Sequence, residues 1–398
     1  MVSIFRRIIL IFLILLHNYF IFAQSGLKTM AKLPDTGQTK DFLASFGEDS
    51  DYLINTPDFT DNMDGTITDN VTKLMWQKTD GGEMTFEAGA QYCDGLSLAG
   101  YSDWRLPSPA ELFSILNHNN NNPALDVKYF TKTEAEYWWT SKEQINDKSK
   151  AWVVNAGGGV GNHPKSETIS MGGNKRFHVR AVRDISLPAN TLRYFTSPNE
   201  TLIDSFTALE WNFNGTPDSM SWEDAIKYCE ENVQNNHDDW RMPNIKELQS
   251  LSSPLYFNPC VHPDFAQQIK IGKYWSSTTL GNQPLRAWFW DTRYGITTYD
   301  LKTTKLPFLM VRNAEIVNVT NTISDLQPLL SPNPAQNRCI VSGFSQPFDI
   351  TIISPAGEIL LTQTGENEID LSGLSNGLHF VQVKNLFGKA TLKLAIVK

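Results

Sequence analysis

Long apolar runs are missing from this chain after its first two dozen residues. No later stretch approaches the ~18 apolar residues that a membrane-crossing helix needs, so a soluble or surface-attached product is expected, with no transmembrane segment in the mature chain. Histidine is scarce, seven in 398 residues, and none is spaced as H-x-x-x-H or HExxH. "GNHPK" and "CVHPDF" set two of them in separate loops, which argues against a histidine-based metal centre. There is no G-x-S-x-G and no Walker loop, and "GGGVG" (157–161) has no helical pattern behind it, which argues against phosphate binding. Carboxylates are plentiful, but no pair is set apart by its surroundings. These absences leave no catalytic constellation, and no enzyme is expected. Basic residues are also outnumbered, 34 against 43 acidic, for a net charge of −9. That balance disfavours nucleic acid and other polyanions through long-range repulsion.

What the chain does have is a repeat. "YSDWRLPSPAELFSI" (101–115) returns as "HDDWRMPNIKELQSL" (237–251), 136 positions later. Tyr92-Cys93 and Tyr228-Cys229, Asn122-Pro123 and Asn258-Pro259, Trp139 and Trp275, and Trp152 and Trp288 keep the same offset. Upstream, "DNVTKLMW" (69–76) matches "DSFTALEW" (204–211), and downstream Val182-Arg183 matches Val311-Arg312. A period this long means tandem domains, since stacked solenoid units run about 20–50 residues. All eleven Trp lie between Trp76 and Trp290, inside the copies.

The termini differ from the middle. "MVSIFRRIILIFLILLHNYFIFAQ" has a basic start, an apolar run from Ile8 to Leu16 and Ala23 before Gln24, the pattern of a secretory signal peptide over residues 1–23. Its removal takes Arg6 and Arg7 with it and the net charge from −9 to −11. At the other end, "FDITII", "HFVQVK" and "TLKLAIV" alternate apolar residues between Gly, Asn and Pro turns, which predicts a small all-β sandwich. Leu330 to Lys398 resembles the type A sorting domain of the type IX secretion system through "SPNPA", "ITIISPAGEIL", "IDLSGLSNGLHFVQV" and "KLAIVK". His379 stands where that family usually has Tyr. The resemblance implies type IX machinery as a partner, export across both membranes, and cleavage of the sorting domain at the surface.

Inside the copies, Ser108, Pro109 and Glu111 read as a helix start with a reciprocal cap, and Asn244 with Glu247 as its counterpart. A preceding helix begins near Thr85 or Ser221 and carries Cys93 or Cys229, each suited to a small buried hydrophobe. Arg105 and Arg241, flanked by core residues, are expected to hydrogen-bond backbone or Glu111 and Glu247 rather than a ligand. Cys260 replaces Ala124 of the first copy; a Cys229–Cys260 disulfide is permitted by export and not established by sequence.

"LPDTGQT" (33–39), "DNMDGTITDNVTKLMWQ" (61–77), "YSDWRLPSPAEL" and "VRAVR" resemble the Lcl C-terminal domain family. The first copy matches along its length; the second is more divergent and lacks "LPDTGQT". The order A-x-x-Y-C … W-R-L-P also resembles the sulfatase-modifying family, whose fold is C-type-lectin-like. The late cysteine pair which that family's oxidase chemistry needs is absent: Ala181 and Met310 stand in the closing strands. The resemblance implies an α+β fold: two tandem C-type-lectin-like domains, each with two helices on short twisted antiparallel strands and long loops, ahead of the β-sandwich. The expected division is leader 1–23, linker 24–32, first domain 33–185, second domain 186–313, linker 314–329 and sorting domain 330–398.

Two loops are candidates for binding. Asp61, Asn62, Asp64 and Asp69 could gather oxygens around calcium, but the EF-hand order fails and Asp64-Gly65 is a hairpin signal, so a hairpin without cofactor is favoured. The strands "YWWTS…AWVVNAGGG" and "YWSST…AWFWDTRYGITTYD" set aromatic residues before polar loops, as a sugar-binding face requires. Trp139, Trp152, Trp275 and Trp288 recur at framework positions and are expected in the core. Trp288 and Trp290 should point one way and Phe289 the other. The ligand candidates are Trp290, Asp291, Arg293, Tyr294, Tyr299 and Asn155. A secreted, cell-surface binding or adhesion protein follows, recognising a neutral glycan or a surface protein; sulfated glycosaminoglycans, the ligand the Lcl resemblance suggests for one member, fit an acidic chain poorly. An extracellular enzyme of unrecognised type and a structural surface component are the alternatives.

Overall fold

Each copy of the repeat opens with a short antiparallel sheet; in the first, "DGTITD" alternates after a tight Asp-Gly turn. A computed structural model of the chain describes residues 30–398 apart from 170–175, 186–194, 197–200, 205, 214–215, 217–218, 262, 267, 315–328, 343–347, 356–357, 366 and 386–387. The leader expected at 1–23 and most of the linker expected at 314–329 lie outside the described residues.

In the first copy the elements are β1 (Phe59–Asp61), β2 (Thr66–Asp69), β3 (Leu74–Gln77), α1 (Phe86–Asp94), α2 (Pro109–Ser114), β4 (Ala135–Gln144), β5 (Asp147–Asn155), β6 (Val160–Pro164), β7 (Arg176–His178) and β8 (Val182–Asp184). The second copy has β9 (Phe195–Thr196), β10 (Leu202–Asp204), β11 (Leu209–Asn212), α3 (Trp222–Glu230), α4 (Ile245–Ser250), α5 (Pro263–Ala266), β12 (Lys273–Thr279), β13 (Arg286–Asp291), β14 (Ile296–Leu301) and β15 (Met310–Asn313). Strands far outnumber helices, an α+β composition weighted to β. The closing strand of each copy returns to its opening sheet, giving the orders β1-β2-β3-β8 and β15-β11-β10-β9.

The helix starts follow the sequence signals. Ser108 accepts from Glu111 N while Glu111 returns to Ser108 N, and Asn244 and Glu247 repeat the exchange. Thr85 caps α1 by accepting from Ala88 N; Ser221 sits at the α3 cap but turns its hydroxyl to Asp224 instead.

The two copies are joined rather than beads on a string. A seven-stranded sheet runs β12-β13-β14-β6-β5-β4-β7 and so crosses from the second copy into the first. Both copies lie in one compact unit ending at Ala314. Each has a private core on one face of this sheet: Cys93, Trp104, Trp139 and Val153 in the first, Cys229, Trp240, Trp275 and Phe289 in the second. The other face carries a shared core with Trp152, Val154, Leu112 and Trp138 from the first copy and Trp288, Trp290, Ile245 and Leu248 from the second. Alternation along β13 therefore sorts Trp288 and Trp290 to one core and Phe289 to the other. Each buried indole withdraws about 150–250 Å² from water, on the order of 4–6 kcal/mol of transfer free energy before entropy.

The C-terminal unit begins at Glu315 and consists of β16 (Leu329–Ser331), β17 (Arg338–Ser342), β18 (Phe348–Ile353), β19 (Ile359–Thr364), β20 (Glu368–Asp370), β21 (Gly377–Asn385) and β22 (Gly388–Ile396). Two sheets, β16-β17-β20 and β19-β18-β21-β22, enclose Cys339, Val341, Ile350, Ile352, Ile369, Val381 and Leu394. The small all-β sandwich read from the alternation is what forms.

Candidate functional site

The place where the copies meet is built from the glycine run. β6 pairs antiparallel with β14, Val160 opposite Thr297, and Val160 N donates to Thr297 Oγ1 at 2.8 Å. A Cβ on Gly159 would lie 2.9 Å from Thr297 O, and one on Gly158 3.0 Å from Trp288 Cζ2. Gly158 also holds φ +111, which side chains rarely adopt. "GGGVG" is thus a close approach of backbone to the second copy, and no helix N-terminus follows it.

Above this seam lies a cleft of about 620 Å³ lined by both copies. Asn121, Asn122, Asn155 and Asn162 line it from the first copy, and Asn282, Gln283 and Tyr299 from the second. Tyr137, His163 and Trp288 add rings, Glu136 is the one carboxylate, and no Lys or Arg is among the lining residues described. Tyr299 is 40% exposed and stands edge-on to Trp288, ring centroids 5.5 Å apart, with the Arg286 guanidinium 5.7 Å from its ring. His163 Nδ1 donates to Glu167 Oε2 at 3.1 Å. Amides that both donate and accept, beside exposed ring surface, suit an uncharged ligand rich in hydroxyls.

Beneath the rims, residues 35–52 run between the copies and bury charge. Lys246, at the second position of α4, donates to Asp35 O and Ser114 O, both 2.7 Å, and is 1% exposed. Burial pulls its amine down to about 8, against the nearby Asp35, Asp69 and Asp49. Asp49 Oδ2 accepts from Thr36 Oγ1 of the same segment at 2.8 Å and from Thr278 Oγ1 of the second copy at 2.6 Å. Burial, then the Asp35 charge, pushes the Asp49 carboxyl well above its usual range. Burial likewise raises Asp35 to about 6 and Glu48 to about 7. His118 donates from Nε2 to Gly158 O at 3.0 Å, and burial holds it neutral, down to about 3.

The six ligand candidates separate. Asn155 and Tyr299 both line the cleft. Asn155 Oδ1 accepts from Gly157 N at 2.5 Å, and its counterpart Asp291 accepts from Arg293 N at 2.9 Å in the equivalent turn. Asp291 is 8% exposed and lies outside the cleft lining. Arg293 and the 38% exposed Tyr294 lie beyond it too; Tyr294 faces Phe257, centroids 5.9 Å apart. Trp290 departs from its expected place toward the loop: it is fully buried in the shared core, its indole donating to Ser252 Oγ at 2.7 Å. The face of β13 that alternation left open is covered by the joining of the copies.

Other expectations resolve locally. Asp61 pairs with Lys78 at 2.5 Å, Asn62 donates to Thr66 and Thr68, Asp64 accepts from Thr66, and the buried Asp69 accepts from Val71 N and Thr72 N. Each is used within the β1–β2 hairpin or beside it, and no group of three or more His, Cys, Asp or Glu placed to hold a metal occurs among the described residues. Arg105 grips Glu111 with two bonds of 2.8 and 2.9 Å, and Arg241 grips Glu247 at 2.8 and 2.6 Å, as expected of packing residues. The four cysteines are buried and free, with Cys229 and Cys260 in different cores.

Sequence reasoning did not place Gln38, Lys246 or the close approach of Gly158 and Gly159 at this junction. A lysine in the first turn of a helix opposes the helix dipole, and that was the signal for Lys246.

The family model described as the Lcl C-terminal domain matches residues 65–183 and 200–312, more than half of the chain, and that of the secretion system C-terminal sorting domain matches 330–398. No curated protein matches. One solved structure that does is PorZ, an essential bacterial surface component of the type-IX secretion system of Porphyromonas gingivalis. It shares 9% identity over 66% of this chain and 30% of its own length, at a TM-score of 0.17, a likeness too weak to bear on the fold.

Proposed function

Because this chain belongs to the Lcl C-terminal domain family in two matched copies, we propose that it is a non-catalytic surface-binding protein whose ligand occupies the cleft between them. Its export is settled by the sorting domain at 330–398, which sends it through the secretion machinery to the cell surface or beyond. No described helix is long and apolar enough to cross a membrane. We read each copy as C-type-lectin-like, a reading supported by its few helices, two described in the first copy and three in the second, set on mainly antiparallel strands. The ligand we propose is a neutral glycan, and no cofactor is needed to hold it.

One observation carries this reading: the cleft is lined by amides and rings, with a single carboxylate and no cationic side chain among the described residues. Sulfate groups would find no cationic side chain in the lining, whereas sugar hydroxyls find paired donors and acceptors and Tyr299 offers ring surface. The test is a glycan array probed with the exported chain and its Tyr299→Ala variant. Binding to neutral glycans that Tyr299→Ala abolishes at unchanged thermal stability is expected. Preference for sulfated glycans, or release of reducing ends from a polysaccharide, overturns the reading.

A further inference from the structure

Gln38 is fully buried where one rim loop from each copy comes within reach of a single amide. Its Nε2 donates to Thr279 O at 2.8 Å in the second copy and to His118 O at 3.4 Å in the first. Its Oε1 accepts from Thr279 N at 3.0 Å, so both ends of the amide are used. These anchors stand directly before the rims: His118 precedes Asn121 and Asn122, and Thr279 precedes Leu280, Asn282 and Gln283, all lining the cleft. Neighbouring residues of the same segment repeat the bridging. His118 N donates to Thr36 O at 2.9 Å, Thr39 N and Lys40 N donate to Asn119 Oδ1, and Thr279 Oγ1 donates to Glu48 at 3.3 Å. Residues 33–52 precede both matched copies, so neither copy by itself contains what ties the rims together.

We propose that the segment Leu33–Tyr52 is a clasp that sets the spacing of the cleft's two rims, with Gln38 as its positioning residue. A side-chain amide suits the place because it satisfies a donor and two acceptors at once; a carboxylate there would face two carbonyl oxygens, and an alanine would leave three buried backbone groups without a partner. No residue of this segment lines the cleft, so the proposal concerns the rim spacing and stands whatever ligand the cleft takes.

The experiment reads the rims directly. Spin labels at Asn121→Cys and Asn282→Cys, both exposed, report the rim spacing in the full exported chain, and the native cysteines are buried. A single narrow distance is expected, lost in Gln38→Ala and in Gln38→Glu but kept in Thr85→Ala, which weakens the α1 cap instead. A distance that stays narrow without Gln38, or that Thr85→Ala broadens equally, overturns the proposal. Should the Gln38 variants not fold, hydrogen exchange on the otherwise unaltered chain decides: the amides of Gln38, His118 and Thr279 should open together, and three independent rates overturn the clasp.

Discussion

Arg105 and Arg241 hold the same position in the two copies and grip the same glutamate, yet their surroundings differ. The Arg105 side chain keeps 35% of its exposure, the Arg241 side chain 4%. Nothing in "WRLPSPAE" against "WRMPNIKE" dictates that gap. The Tyr52 ring, from the segment that runs between the copies, covers Arg241 at 5.2 Å and donates its hydroxyl to Glu230 at 2.9 Å. Among the described residues no ring covers Arg105, which reaches Asp184 at 3.2 Å instead. A local motif determines which partners pair. What lies over the pair determines how much it matters.

The largest expected effect tests that lesson on the arginines. Arg241→Ala strands Glu247 in a dry site and should cost about 3–5 kcal/mol, the usual penalty for a buried pair broken on one side. Arg105→Ala opens a space that water enters, and should cost about 1.5–3 kcal/mol, the range for a hydrogen bond to a charged group. Denaturant unfolding of the two variants measures the difference; equal losses would break the comparison.

The seam offers a sharper contrast within one stretch of chain. Gly159→Ala places a Cβ 2.9 Å from Thr297 O, a backbone atom, whereas Gly161→Ala meets nothing within 4 Å. The first should cost about 1–3 kcal/mol by overpacking, and the second should stay within about 0.5 kcal/mol. Thermal unfolding that ranks them in reverse order would remove the glycine run from the junction. Smaller still, Ser108→Ala and Asn244→Ala should each cost about 0.5–2 kcal/mol through the lost cap. Neither should change glycan binding, and lost binding at full stability would move the cap into the site.

The last contrast is a pH slope. Glu48 rises to about 7 from an ordinary 4.5, and Asp35 to about 6 from 3.8, both by burial first. A carboxyl raised on folding stabilises below its unfolded value, and that contribution is lost as pH climbs through the folded one. His118, lowered by burial from 6.5 to about 3, acts in the opposite sense: its contribution is present above 6.5 and is lost as pH falls toward 3. Lys246 changes between about 8 and 10.5, outside the Glu48 window, and is constant within it. Glu48→Gln should therefore flatten the loss of stability between pH 4.5 and 7 while leaving the acid limb due to His118. Unfolding midpoints across that range check it; parallel profiles for the two proteins would contradict the assignment.

The amino-acid sequence by itself determined what neighbours in the chain can settle. The tandem copies show as motifs repeated at one fixed offset, whereas the reciprocal caps at Ser108 and Asn244, the Arg–Glu pairs six residues apart, the opposed faces of Trp288 and Phe289 and the alternation of the C-terminal β-sandwich rest on short spacings, where helix and strand periods leave few alternatives. Tyr299 and Asn155, singled out as ligand candidates because they lie where aromatic strands enter polar loops, both line the cleft. Only the tertiary structure decided that residues of both copies line a common cleft, that Trp290 is core, and that Gln38 reaches Thr279 across 241 positions. Those outcomes depend on which hydrophobic face each copy leaves uncovered and on the other copy covering it. No periodicity within a single segment encodes such a partner.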